Sequence, residues 1–212
     1  MSQILNEINE NLQAGKAKVV AELVAKALAD GEAPKDILEK GMLAAMGVIG
    51  DKFKVNEIYV PEVLIAARAM NKGMEILKPA LVAEGVQAKG VGVIGTVKGD
   101  LHDIGKNLVK MMMEGKGIEM IDLGVDVSPE KFVSEAKAHD AKVICLSALL
   151  TTTMGEMKNV VDAVKAEGLE GKVKIMIGGA PVTQAYCDQI GADCYTADAA
   201  SASDAAIAFM TA

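Results

Sequence analysis

The sequence predicts two units of different class: an all-α N-terminal unit, read as a four-helix bundle, and then an α/β unit on a five-stranded, doubly wound parallel sheet. Three observations predict this. Apolar residues recur at helical spacing up to about residue 86. From Gly90 onward, short apolar runs alternate with helical stretches. Between the two, Glu84 to Gly90 keeps neither period and reads as a linker. The expected boundaries are 1–88 for the helical domain and 89–212 for the α/β domain.

The helical elements follow in order. Ile4, Ile8 and Leu12 make the first apolar stripe, and Val20, Leu23, Val24, Ala27 and Leu28 the second. Ile37, Leu38, Met42, Met46 and Ile49 make the third. Val63, Leu64, Ala67, Met70, Met74 and Leu77 make the fourth. Gly15 and Gly31 fall in the breaks. Pro34 and Pro61 sit where helices begin, a position that needs no backbone N–H. Pro79 is expected to kink or stop the fourth helix.

The strand candidates are Val91–Gly95, Glu119–Leu123, Val143–Ser147, Val173–Ile177 and Ala192–Tyr195. Helices are expected after each, roughly from Ile104, Pro129, Met154, Pro181 and Asp198. Continuous apolar strands suit a sheet covered on both faces, which makes the unit flavodoxin/Rossmann-like. In such sheets ligands bind beyond the carboxyl ends of the strands, at the topological switch point.

Composition narrows the function. Of 212 residues, 51% are hydrophobic and 24% charged, as in ordinary soluble domains. No apolar run is long enough to span a bilayer, and the N-terminus lacks a basic segment followed by an apolar one. The expected location is the cytoplasm, with no membrane partner. The net charge of −7 argues against a nucleic-acid partner. Cys145, Cys187 and Cys194 lack metal-site spacing and read as buried, reduced thiols.

The strand ends carry the chemistry. After the first strand comes Gly95-Thr96-Val97-Lys98-Gly99-Asp100-Leu101-His102-Asp103-Ile104-Gly105-Lys106. Ser147 to Thr153 follows the third strand, and Gly178-Gly179-Ala180-Pro181 the fourth. Small, hydroxyl and glycine residues at these ends let a large guest approach the backbone. His102 has a carboxylate two residues before it, and imidazole ligands usually donate their second nitrogen to such a group. No Cys/His cluster completes a zinc site. A single protein imidazole suffices when the metal brings its other ligands in a macrocycle. His139 at a helix end reads as solvated surface, and Met111-Met112-Met113 as core packing.

Asp100-x-His102-x-x-Gly105, then Ser147-x-Leu149, then Gly178-Gly179 resembles the cobalamin-binding signature of methionine synthase and of the corrinoid proteins of methyltransferase systems. The wider phrase from Gly95 to Asn107 is similar to that family too. So are Phe53 and Tyr59-Val60-Pro61-Glu62-Val63, which resemble its helical cap. The resemblance covers nearly the whole chain and implies a bound cobalamin or related corrinoid, methylated on cobalt in the working cycle. His102 would be the lower cobalt ligand, replacing the cofactor's own base. Asp100 would hydrogen-bond to it and Thr153 would extend the relay, where methionine synthase carries a Ser. Gly99, Leu101, Asp103 and Gly105 would complete the binding loop. The nucleotide tail would enter a slot lined by Ser147, Leu149, Thr151, Gly178 and Gly179, with Ala199 a further carry-over. Phe53 and Val60 match cap residues over the methyl face, Val60 standing where the family has Leu.

The function implied is a corrinoid methyl carrier. It would accept a methyl group on cobalt(I) from a substrate:corrinoid methyltransferase. It would pass that group to a second methyltransferase acting on tetrahydrofolate or a thiol coenzyme, with a reductive activase as a third partner. Such a chain is a non-autonomous subunit, since it shows no substrate-activating site of its own. The alternative is a cobalamin-binding sensor or storage protein. A receiver domain would need an acidic residue where Ser147 stands, and a dinucleotide-binding domain a Gly-x-Gly-x-x-Gly that the first loop lacks. The methyl donor, whether amine, methanol or aryl methyl ether, is left open.

Overall fold

The structure, a computed structural model, describes residues 2–211. Contacts divide it into two units, Met1–Ala88 with Gly115–Gly117, and Lys89–Glu114 with Ile118–Ala212.

In the first unit the stripes become four helical rods. α1 (Gln3–Gln13) buries Leu5, Ile8 and Leu12, and α2 (Ala17–Ala29) buries Val20, Val24 and Ala27. The third rod is composite: α3 (Pro34–Asp36), a π-helical segment (Ile37–Leu43) and α4 (Ala44–Lys54). The wider π turn absorbs one residue out of phase. Ile37, Met42, Met46 and Ile49 therefore all stay inward. α5 (Val60–Ala83) starts on a capping box, in which Glu62 accepts the Tyr59 N–H at 3.0 Å.

On α5 the expected stop at Pro79 and the expected burial of Leu64 fail. The helix runs through Pro79 to Ala83, because Pro79 lies on the exposed face, where the missing hydrogen bond costs least, and the buried Leu77 and Leu81 hold the turns around it. Leu64 is exposed rather than core. Residues 86–90 form no helix or strand.

The second unit holds β1 (Val91–Thr96), α6 (Ile104–Glu114), β2 (Glu119–Asp122), α7 (Pro129–Ala138), β3 (Val143–Ser147) and α8 (Gly155–Ala166). It continues with β4 (Lys174–Gly178), α9 (Gln184–Ile190), β5 (Cys194–Tyr195) and α10 (Ala199–Thr211). The strands are all parallel in the order β2-β1-β3-β4-β5. This is the doubly wound sheet the sequence predicts, with its switch point between β1 and β3. Phe132, Met157, Val160 and Val161 pack one face, and Met113, Ile118, Ala202 and Ala206 the other. α9 begins at Gln184 rather than Pro181, because the Thr183 hydroxyl accepts the Tyr186 N–H at 3.2 Å and caps the helix there.

Candidate functional site

Register builds the site's floor. Thr96 pairs with Ser147 and Ser147 with Gly178, so the ends of β1, β3 and β4 form one row at the switch point. Beyond Thr96 the chain turns at Gly99, whose φ of +81° suits glycine. It then descends to Asp100, which is 0% exposed.

Asp100 is surrounded by donors. Its Oδ1 lies 2.8 Å from His102 Nδ1 and accepts the His102 N–H at 3.1 Å. Its Oδ2 accepts the N–H groups of Leu149 and Leu150 at 2.8 and 3.2 Å. The Thr153 hydroxyl is 2.8 Å from the same oxygen and 2.9 Å from Leu150 O; its one proton serves the charged acceptor best. Burial alone would push the Asp100 carboxyl up. The hydrogen bonds from His102, Leu149 and Thr153 outweigh it together and hold the group well below the usual carboxylate range.

An ionised Asp100 is an acceptor only, so His102 Nδ1 carries a proton, and in the neutral imidazole that leaves the lone pair on Nε2. The His102 side chain is half exposed, and among the described residues no hydrogen bond engages Nε2. In the same loops Leu101 is 71% and Ile104 78% exposed, with Leu149 and Leu150 also open to solvent. An imidazole tethered at one nitrogen, in loops that leave apolar side chains uncovered, suits a flat guest.

The other candidate residues sort by position. Asp103 precedes α6: its carbonyl accepts the Asn107 N–H at 2.8 Å and its carboxylate accepts from Asn107 Nδ2 at 3.0 Å, and an added Cβ at Gly105 would meet open space. Thr151 is exposed and Ser147 half-buried. At Gly178 an added Cβ would meet nothing within 4 Å. At Gly179, where φ is +136°, it would lie 1.8 Å from Ala148 O. Ala199 is buried in the first turn of α10. Phe53 and Val60 belong to the helical unit, half-buried on either side of residues 55–59.

Several contributors escaped the sequence reading. Thr96 Oγ1 donates to His102 O at 2.8 Å, and Asp126 Oδ1 accepts the Gly99 N–H at 2.7 Å. Lys106, 3% exposed, reaches Asp122 Oδ1 at 2.6 Å. Thr96 lay inside the quoted phrase, and only its position at a strand end hinted at it. The Leu149 and Leu150 amides carry no side-chain signal at all. His139 is a surface residue near Glu135 at 3.4 Å, and Met112 and Met113 are core, as the sequence predicts.

No group of three or more His, Cys, Asp or Glu among the described residues is arranged to hold a metal ion. Burial pushes the Cys145 thiol up to about 12, and all three cysteines are free. The donor set is one imidazole, the open space at Gly178 is unfilled by side chains, and both fit a metal that arrives in its own macrocycle.

Comparison with known proteins reaches the same class. A B12 binding domain model matches residues 90–207, and a second B12 binding domain model matches residues 4–78. The fold is thus that of a two-part cobalamin-binding protein. Dimethylamine corrinoid protein 3 of Methanosarcina acetivorans is 43% identical over 199 residues, covering 94% of this chain and 93% of that one. Trimethylamine corrinoid protein 1 of Methanosarcina mazei is 44% identical over 180 residues, covering 84% and 83%. The crystal structure of the methanol:cobalamin methyltransferase complex from Methanosarcina barkeri superposes with a TM-score of 0.89 at 29% identity, over 99% of this chain and 80% of that one. A cobalamin-binding protein from Desulfitobacterium hafniense gives a TM-score of 0.80 at 31% identity, over 97% and 98%. The chain belongs to the corrinoid (cobalamin-binding) proteins of methyltransferase systems.

Proposed function

We propose that the chain is a methyl carrier that holds its corrinoid through His102 Nε2. It receives the methyl group from a substrate-specific methyltransferase and gives it up to a second methyltransferase acting on tetrahydrofolate or a thiol coenzyme. A reductive activase serves as the third partner. The donor class is methylated amines, a reading supported by the dimethylamine and trimethylamine relatives. The single observation that carries the proposal is the lone, half-exposed imidazole whose Nδ1 is tied to a buried, ionised carboxylate.

The bound corrinoid supplies a cobalt centre able to take up a methyl group and release it again. The chain's residues do the rest. Asp100 fixes the tautomer and aims Nε2 outward. Thr153 and the Leu149 and Leu150 amides hold the Asp100 charge in place. His102 Nε2 would hold the cobalt, and a proton there would compete for the same lone pair. Leu101, Ile104, Leu149 and Leu150, exposed in the free chain, would offer apolar surface to the macrocycle. Ser147 and Thr151 offer hydroxyls to the nucleotide tail, and Gly178 and Gly179 leave it room. We assign residues 1–88 to the helical domain and 89–212 to the corrinoid domain, and place the protein in the cytoplasm, where its three free cysteines stay reduced.

The test uses the full chain loaded with cobalamin, dimethylamine as donor, and a purified dimethylamine:corrinoid methyltransferase. Methyl transfer is expected only when both proteins are present, and His102→Ala should slow it on the order of 10-fold or more. A chain that binds the corrinoid but is never methylated by any partner supports a sensor or storage role instead.

A further inference from the structure

We infer that Thr96 is a positioning residue for His102, acting on its backbone as Asp100 acts on its ring. The inference rests on the reading of His102 as the axial ligand.

Residues 101–103 have no regular secondary structure, so no ladder fixes them. Both backbone polar groups of His102 are instead tied by side chains. Its N–H goes to Asp100 Oδ1 at 3.1 Å, and its carbonyl accepts the Thr96 hydroxyl at 2.8 Å. Thr96 is a rigid base for that bond. It is 0% exposed and ends β1. Its N–H donates to Gly124 O and its carbonyl accepts the Val127 N–H, each at 3.0 Å. It is the register partner of Ser147 on the other side. A residue so enclosed does not itself touch a guest at the strand ends.

The carboxylate bond alone leaves the ring free to move with its Cα. Anchoring the carbonyl fixes where the Cα stands and confines His102 to a local motion of its ring. A ligand displaced by about 1 Å loses much of its value, which makes the support as consequential as the contact. Replacing Thr96 with Val keeps the shape, removes the donor and leaves the His102 carbonyl facing a methyl group.

The experiment compares full-length wild type, Thr96→Val, Thr96→Ser and His102→Ala, each loaded with hydroxocobalamin. It reads the visible spectrum of the histidine-ligated form, corrinoid retention on dialysis, and apo-protein melting. Thr96→Val should remain folded, lose retention on the order of 10-fold, and show less histidine-ligated form. Thr96→Ser should restore both. A Thr96→Val protein with the wild-type spectrum and retention overturns the proposal, as does a Thr96→Ser protein no better than Thr96→Val. If Thr96→Val fails to fold, Thr96→Ala replaces it in the same comparison with the same outcomes. A His102→Ala spectrum identical to wild type overturns the ligand reading and this inference with it. A changed His102→Ala spectrum beside an unchanged Thr96→Val one overturns the Thr96 role alone.

Discussion

Asp100 is a buried charge balanced by hydrogen bonds. Burial opposes its ionisation, and the bonds from His102, Leu149 and Thr153 win. Its folded pKa lies below the unfolded value of about 3.9, so the carboxylate stabilises the fold fully above that value and loses its contribution as pH falls through the folded pKa. Asp100→Asn should therefore cost about 3 kcal/mol at neutral pH, and the gap to wild type should narrow below about pH 4. Denaturant melts across that range check it; a gap that widens on acidification contradicts the balance described. The Asp100–His102 pair was legible in the sequence because both members are titratable side chains two residues apart. Thr153 was legible only through family resemblance. The Leu149 and Leu150 amides were not legible, since backbone donors leave no mark on residue identity.

Strand ends and the turns after them set the shape of the floor. Gly178 and Gly179 are adjacent and read alike in the sequence, yet they do different work. A side chain at Gly179 meets Ala148 O and an unfavourable φ, whereas one at Gly178 meets open space. Gly179→Ala should cost about 3 kcal/mol or more and lower the melting temperature. Gly178→Ala should melt within about 0.5 kcal/mol of wild type but retain corrinoid several-fold less well. Equal melting of the two variants would refute the first claim, and full corrinoid retention by Gly178→Ala the second. Elements with strong apolar periods, such as β1, β3 and α1, were readable to within a residue or two. The π-helical turn and the passage of α5 through Pro79 were not, because both depend on which side of the helix faces its neighbours. The start of α9 moved for a local reason, the cap at Thr183.

At the scale of the whole molecule, period separates two units and chemistry concentrates in one. The helical unit supplies no titratable cluster able to hold a metal among its described residues, and the α/β unit supplies the Asp100-tethered imidazole of His102. In the proposed function, partner methyltransferases activate the substrate and this chain presents the cofactor. That whole account hangs on His102 as the cobalt ligand. The most direct measurement is electron paramagnetic resonance of the full chain loaded with cobalamin and reduced to cobalt(II), with histidine in ordinary and heavy-nitrogen form. The expected result is nitrogen splitting that changes with the histidine label and vanishes or changes source in His102→Ala. Splitting indifferent to the label, arising from the cofactor's own base, would contradict the account.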